Sequence, residues 1–190
     1  MYNLGGLDFG EYINLTNETF VKSGYYKIMN PKNGWCSRAL HKPEIIKKTQ
    51  FEDVMVYMDA DAFPISKFEE IKNYDFDIGV TVRNKNENFK ELGRINAGVI
   101  FFRNTKNTHK FLEEWSDLTK KIENDQVALN SIISSNKYKV VEFPTNIYNY
   151  YYFPEVPCND VKIYHFKSSF EVRSEFVKYA IPMWIQKSFC

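Results

Sequence analysis

VMVYMDADAF, residues 54–63, is an apolar run that ends in two carboxylates, Asp59 and Asp61, one residue apart. With both faces apolar, DVMVYMDADAF reads as a central parallel strand rather than a half-exposed one. A strand leaving the core ordinarily hands over to Gly, Pro or Asn. Alternate residues of an extended chain point the same way, about 7 Å apart. Two like charges about 4 Å apart cost about 4 kcal/mol at an effective dielectric near 20, so even the wider pair favours a divalent ion beside it. Oxygen ligands suit Mg²⁺ or Mn²⁺, and both ions also take phosphate oxygens. The plainer alternative is a solvated turn with two capping acids. The pattern alone does not discriminate, because Asp75-Phe76-Asp77 repeats it. Position does. Asp77 precedes the apolar IGVTV and so starts a strand, whereas Asp59 and Asp61 lie at a strand's carboxyl end, where open α/β sheets bind ligands.

The chain of 190 residues is long enough to bury a core, and we expect one domain over residues 1–190, as a whole protein or as a part of a longer one. Apolar residues make up 44% and aromatic residues 17%, against disorder. A formal charge of +1 gives no reason to expect nucleic acid as a partner. No run of about 18 apolar residues suggests a membrane span, and MYNLGGLDFGEY lacks the pattern of a signal peptide. Cys36, Cys158 and Cys190 are odd in number and scattered, which favours a reducing compartment, the cytoplasm, over a disulfide framework or a zinc site. Two glycosylation sequons, at Asn14 and Asn17, point the other way but are short patterns that arise by chance.

Strands and helices alternate. MYNLGG and YYKIM (25–29) read as strands, and EIIKKTQ after Pro43 as a helix. SKFEEIKN reads as a short helix, then DIGVTV and NAGVIFF as strands. From Thr108 onward Phe111, Leu112, Trp115, Leu118 and Ile122 share one helical stripe. The helix DQVALNSIIS and the strands YKVVEF and VKIYHF follow. This order predicts an α/β fold with a mostly parallel sheet flanked by helices.

Three further segments bear on function. INAGVIFF (95–102) opens with small and polar residues: Gly98 permits close backbone approach, and Asn96 offers both a donor and an acceptor, which suits sugar hydroxyls. An ordinary turn at a strand start explains the same residues. In ENDQ (123–126), Asn124 or Asp125 could simply cap the helix that follows. His165, on the otherwise apolar VKIYHFK, is either a satisfied core residue or a nitrogen ligand in a mixed site.

Together YMDADAF, INAGVIFFRNT, NDQVALN and YHFK, in that order, resemble the GT-A nucleotide-diphospho-sugar glycosyltransferases, especially the branch of glycogenin and the bacterial lipopolysaccharide galactosyltransferases. SRALHKPEII, with Arg38 and residues 42–46, resembles the helix before the DxD strand of that branch. The resemblance implies a Rossmann-like GT-A sheet and transfer of a sugar, hexosyl or deoxyhexosyl, from a nucleoside-diphosphate sugar, a UDP-sugar above all, to a glycan or other hydroxyl. It implies Mn²⁺ (or Mg²⁺) as cofactor, held by Asp59, Asp61 and His165. Donor contacts would come from Tyr2, Asn3, Leu4, Gly5, Arg38, Asp59, Ala60, Asn96, Ala97 and Gly98. Asp125 and Gln126 would act at the reacting sugar. After His165-Phe166 the chain reads KSSFEV rather than the glycine and Lys-Pro-Trp common in that branch, so Lys167 becomes the candidate contact to the diphosphate.

Asp125 would be a base in an inverting enzyme and a donor-sugar contact in a retaining one, and the glycogenin branch favours retention. NIYNYYYFP (146–154) offers Tyr148, Tyr150 and Tyr151 either as an acceptor platform or as core packing. Two alternatives compete. One is a haloacid-dehalogenase-type phosphatase, whose nucleophilic Asp belongs to an earlier strand than Asp59 does. The other is an inactive nucleotide-sugar-binding module of the same fold.

Overall fold

In the computed structural model the described residues are 36–59, 62–64, 66–83, 92–150 and 160–165, without the side chains of residues 36–40 and 63. Helix α1 (Cys36–Lys48) leads into β1 (Val54–Met58) and the short β2 (Ala62–Pro64). A 3-10 helix over Glu69–Asn73 precedes β3 (Ile78–Val82), β4 (Ile95–Arg103), α2 (Lys106–Ile122) and α3 (Asp125–Ile133). Then come β5 (Val140–Phe143), α4 (Thr145–Tyr148) and β6 (Ile163–His165). No helix among the described residues is long and apolar enough to cross a membrane. The strands expected at MYNLGG and YYKIM lie outside the described residues.

The α/β class holds, with strands ordered β1-β4-β3-β5. Strands β1, β3 and β5 point the same way, and β4 runs between β1 and β3 in the opposite sense. Among the described residues β1 is therefore the outer strand and is half-buried along its length, not central as its apolar run suggested. The last strand of the sequence, β6, pairs with β2 in a separate two-stranded ribbon. Helix α1 begins before Pro43 rather than after it and carries that proline inside.

Side chains of β4 explain its central position. Ile100 and Phe102 face one side with Ile78 and Val80, against Phe111, Leu112 and Trp115 of α2 and Ala128, Leu129 and Ile132 of α3. Val99 and Phe101 face the other side, against Phe76, Phe143, Tyr148 and Ile163. This period of two is what a strand buried on both faces needs. Of the expected stripe on α2, Phe111, Leu112 and Trp115 are buried, Leu118 packs against them partly buried, and Ile122, at the last turn, is 38% exposed. Thr105 caps α2 by accepting from the Thr108 amide, and Glu123 closes it in the left-handed conformation at φ 56°.

Between Val80 and Thr81 the partner on β4 jumps from Ile100 to Asn96. Residues 97–99 of β4 thus bulge relative to β3, and a bulge re-aims side chains beside a sheet edge. Asn130 of α3 fixes this end of β4. Its amide accepts from the Ile95 amide (2.8 Å) and donates to the carbonyls of Ile95 (3.1 Å), Leu92 (3.2 Å) and Gln126 (2.8 Å).

Candidate active site

Because β4 is antiparallel to β1, its first residues meet the last residues of β1. Met58 pairs with Val99, and the Asp59 amide donates to the Gly98 carbonyl at 2.8 Å. The carboxylate at the end of β1 and the Asn-Ala-Gly start of β4 therefore share one corner of the sheet. The β2–β6 ribbon brings the third element, since Ala62 pairs with His165. Gly98 is where they converge. A methyl group added there would overlap the His165 ring and stand 2.8 Å from Asn96 Oδ1 and 3.0 Å from Asp59 Oδ2. Only glycine leaves room for the imidazole and the carboxylate to approach the same stretch of backbone.

Asp59 Oδ1 accepts from the Tyr57 hydroxyl at 2.6 Å, as same-face residues two apart on a strand allow. The ammonium of Lys42 lies 3.1 Å from the same oxygen, 2.8 Å from Asp125 Oδ2 and 3.2 Å from the Ala97 carbonyl oxygen. The contact with the Ala97 carbonyl is a hydrogen bond, and those with the two carboxylates are ion pairs. Lys42 also sits over the Tyr57 ring, 5.1 Å from its centroid. Burial opposes its charge, but Tyr57, Asp59 and Asp125 around it hold its pKa well above the ordinary lysine value. Burial likewise pushes the Tyr57 hydroxyl up, so it stays a donor to Asp59.

The helix start at residues 124–126 divides its work. Asn124 is the cap, its Oδ1 accepting from the Val127 amide at 2.9 Å. That frees the Asp125 carboxylate, 7% exposed, to turn towards Lys42, while the Asp125 carbonyl accepts from Trp115 Nε1 at 2.7 Å. A carboxylate in the first turn is also favoured by the helix dipole. Gln126 knits the corner together: its Oε1 accepts from Arg83 Nη2 (2.9 Å) and the Ala97 amide (3.4 Å), and its Nε2 donates to Leu92 (3.1 Å). Asn96, 3% exposed, accepts from the Gly98 amide at 2.7 Å. His165, 4% exposed, has its Nδ1 2.8 Å from Asn149 Oδ1.

The structure thus brings together Asp59, Asn96, Ala97, Gly98, Asp125, Gln126 and His165. Asp59 Oδ2 and the His165 ring both approach Gly98, and a carboxylate oxygen with an imidazole nitrogen is a pairing whose chemistry suits Mn²⁺ or Mg²⁺. Among the described residues no three His, Cys, Asp or Glu side chains could hold a metal. Tyr2, Asn3, Leu4, Gly5, Ala60, Asp61, Tyr151 and Lys167 lie outside the described residues, and of Arg38 only the helical backbone is described. Tyr148 and Tyr150 are 6% and 7% exposed. The Tyr148 hydroxyl donates to Glu70 at 2.8 Å, and the Tyr150 ring packs on Tyr164, the arrangement of core tyrosines. Asp77 of the second triplet is structural: 6% exposed, it accepts from the Thr105 hydroxyl (2.6 Å), the Lys139 amide (3.0 Å) and Asn107 (3.3 Å).

Lys42, the cation at the centre, enters the sequence reading only as one of residues 42–46 in the helix before the DxD strand, with no role at the site. A signal was available, because Lys42 follows Arg38 by four residues and so shares its helix face. Tyr57, two residues before Asp59 on the same strand face, was legible in the same way.

The described architecture is that of a GT-A-like glycosyltransferase fold. It is similar to the crystal structure of the glycosyltransferase GlyE of Streptococcus pneumoniae TIGR4, with a TM-score of 0.53 and 19% sequence identity. That likeness covers 78% of this chain and 46% of GlyE's, so the chain spans less than half the length of that neighbour. Residues 50–177 match the model of the nucleotide-diphospho-sugar transferase family, and the chain belongs to that family. No curated protein sequence matches it.

Proposed function

We propose that this protein, a single transferase domain, moves a sugar from a nucleoside-diphosphate sugar, a UDP-sugar in the first instance, to a hydroxyl of a glycan or similar acceptor. The observation that carries the reading is the convergence of Lys42, Asp59, Asp125 and His165 on the Asn-Ala-Gly corner of β4. Family membership supports it over the phosphatase alternative. Three scattered cysteines favour the cytoplasm as its compartment.

Asp59, Asp61 and His165 would hold Mn²⁺ or Mg²⁺, which when bound supplies Lewis-acid stabilisation of the departing diphosphate. The chain does the rest. Tyr2, Asn3, Leu4 and Gly5 hold the base, and Arg38 and Lys167 balance phosphate charge. The backbone at residues 96–98 lies against the sugar, where side chains are too small to block it. Lys42 sets the distance between Asp59 and Asp125, two carboxylates that would otherwise repel. With Oδ2 held by Lys42, Asp125 offers Oδ1 to the hydroxyls of the donor sugar, a role sufficient for transfer with retention. Gln126 supports the same corner through the Ala97 amide.

A thermal shift with UDP, GDP and CMP, each with and without Mn²⁺, tests the reading. A ligand at about 100 times its dissociation constant adds about 2.7 kcal/mol, and at 2–4 °C per kcal/mol the expected rise is roughly 5–10 °C. The rise should need both one nucleotide and the metal, and Asp61→Ala should remove it. No rise with any pair would refute the proposal. Binding without release of nucleotide from any nucleotide sugar would make the chain a binding module instead.

A further inference from the structure

We propose that Asn149 is a positioning residue that fixes the tautomer of His165 and so delivers Nε2, with its lone pair, to the cation site. This rests on the transferase reading above. Asn149 is fully buried, just after α4. Its Nδ2 donates to Thr81 Oγ1 at 2.6 Å, and its Oδ1 lies 2.8 Å from His165 Nδ1. Thr81, equally buried, stands on β3 at the step where β4 bulges. An amide has one donating and one accepting end. With the nitrogen given to Thr81, the oxygen faces the ring, and an oxygen can only accept. The proton of the neutral imidazole therefore sits on Nδ1, and the lone pair on Nε2.

Backbone bonds make the pair rigid. Lys162 donates to Ile147 (2.7 Å), Tyr150 to Ile163 (3.0 Å) and His165 to Tyr150 (2.7 Å), so residues 147–150 and β6 form one ladder. The ring is held at Nδ1 by Asn149 and along its Cε1 edge by the Gly98 backbone, which leaves it little rotation. Ligating histidines characteristically donate their other N–H to an oxygen in this manner, and loss of the outer partner weakens metal binding. The Thr81–Asn149–His165 relay thus runs from the sheet to the cation site.

Nitrogen-15 spectra of the histidine rings in the metal-free full chain, with His165 assigned by its loss in His165→Gln, read the tautomer directly. The wild type is expected to show a protonated Nδ1. Asn149→Leu should lose that preference and weaken Mn²⁺ binding, measured by calorimetry with UDP present, by about 10- to 100-fold. Asn149→Asp, which keeps an accepting oxygen, should retain both. Should Asn149→Leu fail to fold, Thr81→Val, of the same shape, frees the amide to rotate and should show the same change more mildly. A wild-type ring protonated at Nε2 overturns the proposal. So does an Asn149→Leu protein, or a Thr81→Val protein in its place, with unchanged tautomer and Mn²⁺ affinity. A protonated Nδ1 in a wild type that binds no Mn²⁺ overturns the cation site itself, and is told apart because the ring signals need neither metal nor nucleotide.

Discussion

Gly98→Ala is the sharpest perturbation of this corner. The added methyl group overlaps the His165 ring and comes to 2.8 Å from Asn96 Oδ1 and 3.0 Å from Asp59 Oδ2. None of the three can yield easily. Asn96 is bonded to the Gly98 amide, Asp59 to Tyr57 and Lys42, and His165 to Asn149. To regain van der Waals contact the imidazole must retreat by on the order of 1 Å. Metal–ligand distances hold to within about 0.2 Å, so a shift of that size would take the imidazole out of reach of the proposed cation. Overpacking of this kind costs about 1–3 kcal/mol, a fall of roughly 2–12 °C in melting temperature for a domain this size. The variant should therefore stay folded and lose the rise in Tm produced by UDP with Mn²⁺. Gly79→Ala is the control. There the methyl group overlaps the Phe143 ring and lies 2.9 Å from Phe101 Cβ, in the aromatic core. It should lower the melting temperature at least as much and keep the ligand-induced rise. If Gly98→Ala binds UDP and Mn²⁺ as the wild type does, the cation site is not at this corner.

Lys42→Met leaves Asp59 and Asp125 facing each other without their shared cation. Loss of one partner of a buried pair costs about 3–5 kcal/mol, and the partial exposure of Asp59 favours the lower end. Urea denaturation of the metal-free protein should show that loss, and an unchanged midpoint would mean that Lys42 does not hold the carboxylates together. Asn124→Ala should cost about 1 kcal/mol as a lost cap yet leave transfer intact. Asp125→Asn should do the reverse, and an Asp125→Asn protein with wild-type turnover would remove Asp125 from the site. His41 has its pKa lowered from 6.5, chiefly by burial, then by Lys120, with Glu44 opposing. Between that lowered value and 6.5 the unfolded chain binds more protons, so stability falls as pH drops through this window and is fully retained above it. Thermal melts from about pH 7 to about pH 5 should fall less steeply for His41→Gln, and parallel curves would refute the assignment.

Local chemistry made much of this legible. The apolar run before Asp59 becomes β1, the stripe after Thr108 becomes the buried face of α2, and the order of apolar run and acid separated Asp59 from Asp77. These are statements about neighbours in sequence, where the periods of strand and helix act directly. Pairing partners are another matter. An apolar run such as 54–58 is compatible with either strand direction and with a central or an outer place in the sheet. Tyr148 shows the same limit at a single residue: an aromatic beside asparagines suits a sugar platform, and only the approach of Glu70 and Phe143 makes it core.

The reversed strand is what assembles the corner. In a wholly parallel sheet the start of the strand carrying Asn96, Ala97 and Gly98 would lie at the opposite edge from Asp59, some strand length of about 17 Å away. Inserted antiparallel, β4 sets the Gly98 carbonyl on the Asp59 amide, and its bulge beside Thr81 turns the small residues towards the carboxylate and the histidine. Sliding β4 by one residue would exchange its two buried faces and carry Gly98 away from His165. Asn130 opposes such a slide by holding both the amide and the carbonyl of Ile95, and the single-residue gap at Gly98 admits only the register observed. The site therefore depends as much on groups that fix β4 as on the carboxylates beside it.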